Sequence, residues 1–275
     1  MIRVLAIGDV MGKPGRRCIQ ELLPLAQKEF SPDVIVANGE NLAGGFGITK
    51  KVFDELTKKH GIDCITTGNH WHDKREVYEF AGTTPNFLRP ANMYNVDDPT
   101  FGLAVLKSKG GASYAVINLY GRAFMKGENR CPFKTVDQLL PKIPASVKAI
   151  IVDVHGETSS EKQALAHYLV NRVSLLYGTH THCPTADERI IGGRLGFVTD
   201  VGMTGPYDSV IGIRKEASIE RLTTGVRRNF EPATRDLWMC FVVCDIDPLT
   251  GNCTAMTRYR WELDRIFTEP NKAGL

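Results

Sequence analysis

Residues of the kinds that bind metal ions follow five separate apolar runs of this sequence. They are carboxylates, side-chain amides and imidazoles: Asp9, Glu40 with Asn41, Asn69 with His70, His155, and His180 with His182. Each run is predicted to be a strand, and in an open α/β sheet the carboxyl ends of the strands line one crevice. Oxygen and nitrogen ligands that meet at such a crevice predict a centre with two metal ions.

Each of these residues also has an ordinary structural explanation when it is taken alone. Asp9 would cap the helix that follows the first strand, and Asn69 with His70 would form a polar turn. His155, which precedes Gly156, would simply end a strand. The prediction of a metal site therefore depends on the five occurrences together.

The types of residue suit two divalent ions that share one carboxylate. Glu40 is the candidate for the shared ligand, because Gly39 allows the backbone to turn sharply beneath it. Asn69 offers a neutral carbonyl oxygen, whereas His180 and His182 can both face the ions only if their segment forms a tight loop. Two ions about 3.5–4 Å apart lower the pKa of a bridging water and hold phosphoryl oxygens.

The neighbours of the predicted ligands are assigned different tasks. His70 adjoins a ligand candidate, and a strand-end turn does not easily aim both residues at one ion. His70 is therefore predicted to act as a general acid or to stabilise a developing oxyanion. His72, in the same loop, is predicted to support that loop. Cys183, beside His182, is more typical of a structural thiol than of a zinc ligand.

The apolar runs alternate with helix-like segments. Strands are predicted at residues 3–7, 34–38, 63–67, 149–154 and 173–177, and helices at 15–30, 49–60, 76–80, 161–170 and near 214–223. Two pairs of strands are predicted at 101–106 with 113–119 and at 237–245 with 254–262. This order predicts an α/β fold with helices on the faces of a parallel sheet, in one domain that spans residues 1–275.

The composition limits the class of protein. With 43% hydrophobic and 24% charged residues, the 275-residue chain resembles a globular enzyme. A net charge of +3 does not indicate a nucleic-acid-binding protein, and no run approaches the roughly 20 apolar residues that span a bilayer. The first nine residues are too short for a signal peptide, and the seven cysteines lack regular spacing. A cytoplasmic protein with reduced thiols is therefore expected.

The ordered motifs resemble those of the calcineurin-like metallophosphoesterases. The matching segments are Gly8-Asp9, Gly39-Glu40-Asn41, Gly68-Asn69-His70, His155-Gly156-Glu157 and Gly178-Thr179-His180-Thr181-His182. The chain is most similar to the YmdB-like bacterial phosphodiesterases, because three further segments match: Asn38-Gly39-Glu40-Asn41, Arg89-Pro90-Ala91-Asn92 and Thr199-Asp200-Val201-Gly202-Met203-Thr204-Gly205-Pro206. The resemblance extends from residue 2 to about residue 262.

The resemblance implies a two-layered β-sandwich core flanked by helices, with a small cap region. It implies a metal-dependent phosphodiesterase that hydrolyses cyclic nucleotides (2',3' or 3',5') by attack of a hydroxide between two ions, with iron or manganese favoured over zinc. One ion would be held by Asp9, Glu40, Asn41 and His182, and the other by Glu40, Asn69, His155 and His180. His70 would assist catalysis.

Two positions differ from the broad superfamily. Met11 stands where a histidine is usual, and Glu40 stands where an aspartate is usual. Both differences are expected in the YmdB-like branch, in which Asn41 would replace the missing histidine. The loss of an imidazole makes this side of the centre richer in oxygen, which favours manganese or iron.

Substrate contacts and assembly are less closely determined by the sequence. Arg89, Asn92 and Arg122 are candidate substrate contacts, although a solvated charged loop is the better explanation for the charge of Arg89 and of the stretch that carries Arg122. The apolar stretch 202–213 hints at a buried contact and a homo-oligomer. Two alternative functions are a phosphomonoesterase, such as a nucleotidase, and a low-turnover regulatory protein that senses a nucleotide.

Overall fold

Two β-sheets pack face to face, with helices on their outer surfaces. The structure is a computed structural model that describes residues 1–94, 98–226 and 230–268. The strands are β1 (Ile2–Ile7), β2 (Asp9–Val10), β3 (Val34–Asn38), β4 (Cys64–Thr66), β5 (Leu103–Lys107), β6 (Ser113–Tyr120), β7 (Ala149–His155), β8 (Leu175–Thr179), β9 (Arg189–Ile191), β10 (Leu195–Val198), β11 (Met203–Pro206), β12 (Leu237–Ile246) and β13 (Cys253–Glu262). The helices are α1 (Gly12–Phe30), α2 (Lys50–Asp54), α3 (Val77–Phe80), α4 (Pro132–Leu139), α5 (Ser159–Leu169), α6 (Lys215–Thr224) and α7 (Leu263–Thr268).

The first sheet is organised around the amino-terminal strand. Over the described residues its order is β2-β11-β12-β1-β3-β4, with β13 paired to β12. β1, β3 and β4 run parallel, and β12 lies antiparallel to β1 on its other side. Because the three parallel strands end at the same edge, the residues that follow them are brought together there.

The second sheet has the order β5-β6-β7-β8-β10-β9. Its four central strands are parallel, and its two edge strands are antiparallel to their neighbours. β7 and β8, which precede two of the predicted ligand segments, are fully buried neighbours. Their carboxyl ends therefore also lie side by side.

Alternate residues of each strand enter different apolar layers, because side chains of a strand point to opposite faces. Val4 and Ala6 of β1 belong to the layer between the two sheets. Leu5 and Ile7 belong to the layer beneath α1, and Leu165 of α5 belongs to the layer outside the second sheet. The result is a sandwich of two sheets flanked by helices, which confirms the predicted fold class.

The predicted elements differ from the observed ones chiefly at helices. The helix predicted at 49–60 has an α-helical first part, for which the Thr49 hydroxyl accepts a hydrogen bond from the Val52 amide at 3.3 Å. Its second part, Glu55–Lys59, is a π-helical turn. α4 was not predicted, because Pro132 follows an irregular charged stretch; a proline in the first turn is nevertheless compatible with a helix.

The apolar stretch 202–213 is largely used inside the chain. It contains β11, which pairs with β2 and β12 and is buried throughout. Ile211 is its exposed apolar residue, at 56%. None of the described helices is long and apolar enough to cross a bilayer.

Candidate active site

All five predicted ligand segments meet at one end of the sandwich. The first sheet supplies the residues after β1, β3 and β4, and the second supplies the end of β7 and the loop after β8. Two groups of side chains have their metal-binding atoms within 4.8 Å of one another: Glu40 with His155 and His180, and Asp9 with Glu40 and His182. Glu40 is common to both groups, as the sequence predicted for a shared carboxylate.

The first group joins the two sheets. Glu40 Oε2 lies 3.1 Å from His155 Nε2, and His155 Nε2 lies 3.0 Å from His180 Nδ1. The amide of His180 donates to Asp9 Oδ2 at 3.0 Å, and its Nε2 lies 3.0 Å from Glu157 Oε2. Three possible ligand atoms of this group therefore face a common point.

His182 of the second group faces Asn41, and the two atoms that meet are both acceptors. His182 Nδ1 is 2.8 Å from the carbonyl of Ile211, which can only accept, so Nδ1 carries a proton in this contact. The Asn41 amide nitrogen donates to the carbonyl of Gly45 at 3.0 Å, which turns Asn41 Oδ1 towards His182 Nε2 at 3.2 Å. In neutral His182 both facing atoms carry lone pairs. This is the arrangement that a cation satisfies.

Two further oxygens support the same conclusion. Asp9 Oδ1 and Asn69 Oδ1 are buried, and neither has a hydrogen-bond partner among the described residues. Buried polar atoms without a partner are costly, and a bound cation would supply one. A Cβ atom at Gly68 would lie 2.2 Å from both Glu40 Oε2 and His155 Nε2. Only glycine therefore leaves the space between these two ligand candidates open.

Burial and mutual contact shift the pKa values of the groups in the site. Burial raises the pKa of Asp9 to about 6, against the opposing effect of His182 and His155. Burial would also raise the pKa of Glu40, but its contact with His155 outweighs burial and holds that pKa below its usual range. Burial lowers and Glu40 raises the pKa of His155, with a net value of about 9. Burial and the neighbouring His155 lower the pKa of His180 to about 3.

A buried polar network between the sheets fixes the orientation of His155. Its Nδ1 is 3.0 Å from Thr179 Oγ1, and that hydroxyl donates to Asp153 Oδ1 at 2.8 Å. Asp153 also accepts from the Thr66 hydroxyl and from the Asn38 amide. Sequence reasoning missed this network. One signal was available, since Asp153 precedes His155 by two residues in β7 and so points to the same face.

His70 stands beside the two groups with a carboxylate partner of its own. Its Nδ1 is 2.8 Å from Asp73 Oδ2, and its side chain is 30% exposed. The backbone amide of His70 donates to Glu40 Oε2 at 3.3 Å, and Phe46 contacts its ring edge-on at 4.9 Å between centroids. Nδ1 is therefore occupied, and Nε2 is the ring nitrogen available to another group. Asp73 was not identified from the sequence.

The three candidate substrate contacts have different surroundings. The Arg89 guanidinium lies 3.8 Å from the ring centre of Phe101 and is half-buried. Asn92 is buried, and its amide bonds the backbone of Tyr120 and Arg130. Arg122 lines a cavity of about 830 Å³ together with Phe133 and Glu161. Of the three, Asn92 has its polar atoms engaged within the fold.

The remaining two residues of the predicted neighbourhood do not join the ligand groups. Cys183 is exposed, and its amide contacts the Thr181 hydroxyl at 3.3 Å. The His72 ring lies edge-on to Trp71 at 5.3 Å, and its Nδ1 is buried. The structural roles predicted for both residues stay predictions.

Solved structures with similar folds define the class of the protein. The calcineurin-like phosphoesterase YfkN from Bacillus subtilis matches with a TM-score of 0.53 over 96% of this chain and 91% of its own, at 11% identity, which shows the shared fold. A protein described as a novel phosphatase from Mycoplasma pneumoniae matches with a TM-score of 0.86 at 31% identity, over 95% of this chain and 93% of that one. The fold is that of the calcineurin-like phosphoesterases.

The sequence comparisons then place the chain within that class. A profile of the YmdB-like proteins matches residues 5–259, so the chain belongs to the YmdB-like protein family. The 2',3'-cyclic-nucleotide 2'-phosphodiesterase of Bacillus subtilis strain 168 is 39% identical over 268 residues, which cover 98% of this chain and 100% of that protein. The predicted family, fold and class of phosphoester hydrolase are confirmed. The fold implies divalent metals, and the two ligand groups are candidates to hold them.

Proposed function

We propose that this protein hydrolyses the phosphodiester bond of cyclic nucleotides, with 2',3'-cyclic nucleotides as the preferred class. The observation that carries the proposal is the pair of ligand groups that share Glu40. The name of the Bacillus subtilis relative, which matches along its whole length, supports the choice of substrate.

We assign the metal ligands as the sequence predicted them. Asp9, Glu40, Asn41 and His182 would hold one ion, and Glu40, Asn69, His155 and His180 would hold the other. The unpartnered oxygens of Asp9 and Asn69 and the facing acceptors of Asn41 and His182 support this division. Carboxylate and amide oxygens dominate the Asp9 side, so manganese or iron is favoured over zinc. When bound, two such ions neutralise phosphoryl oxygens and lower the pKa of water.

His70 is proposed to act on the leaving group. Asp73 accepts a hydrogen bond from Nδ1 and fixes the ring, which leaves Nε2 available to the substrate. A protonated His70 would donate from Nε2 to the departing ribose oxygen, and its charge would also stabilise that oxygen before the proton is transferred. The backbone amide of His70 already bonds Glu40. This contact ties the position of the acid to that of the shared ligand.

A phosphomonoesterase is the second candidate function, because the Mycoplasma relative of known structure is described as a phosphatase. The two functions differ in their product. A diesterase opens the cyclic ester and leaves a phosphomonoester, whereas a monoesterase releases inorganic phosphate.

A substrate panel tests the proposal. The protein is treated with a chelator, reloaded with manganese or iron(II), and supplied with 2',3'-cyclic AMP, 3',5'-cyclic AMP, 3'-AMP and 5'-AMP. We expect the fastest turnover for 2',3'-cyclic AMP and none in the chelated protein. Cys183→Ser, which alters an exposed thiol outside both ligand groups, serves as the control. Faster release of phosphate from 5'-AMP than ring opening would favour the monoesterase, and binding without turnover would favour a nucleotide sensor.

The cellular location, the single domain and the oligomeric state are also proposals. All seven cysteines are free thiols, which is compatible with the predicted cytoplasmic location. The layer between the sheets takes residues from both the first and the last hundred residues, in keeping with one domain; residues 269–275 of the predicted domain lie outside the described part. A homo-oligomer stays a prediction, which light scattering of the purified protein would test.

A further inference from the structure

A buried ion pair lies directly behind the loop that carries His180 and His182. Lys162 Nζ is 2.8 Å from Asp200 Oδ2, and both side chains are only 1% exposed. Lys162 belongs to α5, and Asp200 belongs to the segment after β10, residues 199–206, that no step of the proposed reaction uses. The pair therefore joins α5 to the segment after β10, next to the loop that carries His180 and His182.

The pair bonds the peptide groups on both sides of His180. Lys162 Nζ donates to the carbonyl of Thr179 at 2.9 Å, and Asp200 Oδ2 accepts from the amide of Thr181 at 3.2 Å. The peptide before and the peptide after His180 are thus both oriented by one ion pair. The direction of the imidazole depends on these two peptides.

Asp200 extends the same support to the first sheet. Its Oδ1 accepts from the amide of Gly202 at 2.9 Å, and the carbonyl of Gly202 accepts from the amide of Asp9 at 3.1 Å. One carboxylate therefore connects the loop after β8 with the backbone of a ligand candidate in the other sheet.

The loop itself has a backbone that needs external support. His180 has φ of +103° and His182 has φ of +63°, both in the region that residues with a Cβ rarely adopt. Such conformations persist only where the surrounding structure imposes them. The hydrogen bonds from Lys162 and Asp200 are interactions of the kind that would impose them.

A neighbouring backbone oxygen and the path of the lysine both require a glycine of the motif. A Cβ atom at Gly178 would lie 1.8 Å from the Thr199 carbonyl oxygen, 2.7 Å from Lys162 Cδ and 2.9 Å from Cε. The absence of a side chain at position 178 thus lets the aliphatic part of Lys162 pass the strand end and reach Asp200.

We infer that Lys162 and Asp200 are positioning residues that hold the His180–His182 loop in its metal-binding conformation. The inference rests on the proposed metal centre and assigns a task to the Asp200 motif. A buried ion pair is seldom a net source of stability, because both charges lose their hydration. Its value here is the specific geometry that it imposes on the loop.

Manganese binding to chelator-treated protein tests the inference without measuring catalysis. The variant Lys162→Met/Asp200→Asn removes both buried charges and keeps the size of each side chain. Arg3→Met/Asp245→Asn is the control, because it neutralises a close ion pair in the first sheet, 2.7 Å between Arg3 Nε and Asp245 Oδ1, at the opposite end of β1 from the site. Calorimetry gives the dissociation constant, and hydrogen exchange reports on the amides of residues 180–182.

We expect manganese to bind ~10–100-fold more weakly to the site variant, the usual effect of losing a residue that orients a metal ligand. The amides of residues 180–182 should exchange faster, and the control should change neither property. Unaltered manganese affinity in a folded site variant would overturn the inference while leaving the proposed function intact. Failure of the unaltered protein to bind manganese or iron(II) would overturn both. If the double variant does not fold, Asp200→Asn alone carries the same expectation.

Discussion

The two sides of the candidate metal centre are supported in different ways. His155 is oriented by side chains, Thr179 and through it Asp153, that lie buried between the sheets. His182 is oriented by the main-chain carbonyl of Ile211, and Asn41 by that of Gly45. One side is thus part of the sandwich core, and the other is part of its loops. Strand register determines the first, whereas the second depends on loop conformation.

Glu40 belongs to both sides, so its replacement should impair metal binding on both. Glu40→Gln replaces one anionic oxygen by an NH2 group that cannot bind a cation. We expect turnover to fall by on the order of 10⁴-fold or more, as for a central catalytic group, and bound metal to decrease. Elemental analysis with steady-state kinetics measures both. Full metal occupancy with a near-normal rate would contradict the assignment of Glu40 as the shared ligand.

His70 belongs to neither side, and its replacement should leave both intact. We expect His70→Ala to keep its metals and most of its substrate affinity while kcat falls roughly 10²–10⁴-fold, the range for a general acid. The value of kcat should fall more for a substrate with an alkoxide leaving group than for a nitrophenyl ester, because nitrophenolate departs without a proton.

The two substrates also separate the possible tasks of His70. Equal losses with both would indicate charge stabilisation in place of proton donation. Loss of one metal ion would mean that His70 is itself a ligand. Asp73→Asn, which keeps a hydrogen-bond acceptor for Nδ1 but removes the charge, should have a smaller effect than His70→Ala.

Altering one support on each side tests the difference between the two sides. Thr179→Val keeps the shape of the side chain but removes the hydroxyl between His155 and Asp153. We expect manganese affinity to fall ~10–100-fold, as when a group that orients a ligand is lost. Ile211→Gly retains the carbonyl that bonds His182, and the backbone φ of +48° suits glycine, so its effect should be smaller. Equal losses in calorimetry would show that the loop side is as sensitive as the core side.

Metal affinity on the core side, which contains His155, should also depend more strongly on pH than metal affinity on the loop side. In the metal-free protein the pKa of His155 is raised from 6.5 to about 9, so the contact with Glu40 stabilises the fold fully below pH 6.5 and is lost as pH rises through 9. Metal binding requires the neutral imidazole and releases that proton. Apparent affinity should therefore rise by about tenfold per pH unit across this window. Calorimetry in buffers of different ionisation enthalpy counts the protons released, and a count of zero would contradict the prediction.

The positions of the ligand candidates were predictable because they follow directly from strand order. Asp9, Glu40, Asn69 and His155 each lie where an apolar run ends, and parallel strands bring such ends together. Sequence reasoning also recognised that His180 and His182 need a tight loop, and the structure shows how: both residues have positive φ.

The supporting residues could not be predicted in the same way. Asn38 and Asp153 are 115 positions apart, and their contact depends on how two sheets are stacked. Lys162 and Asp200 read separately as a surface lysine of a helix and a turn aspartate, since nothing local shows that both are buried. Only the packing of the layers determines which polar residues meet.

The position of β12 has a consequence for how the protein is made. This strand lies between β1 and β11, and it is formed by Leu237–Ile246. The segments that carry Asp9 and His182 are therefore synthesised long before β12, the strand that joins β1 to β11. The first sheet closes only after residue 246 has been synthesised, so loading of metal into the finished centre follows the synthesis of β12. A chain that ends before β12 would carry all of the proposed ligands and still lack the strand that joins β1 to β11.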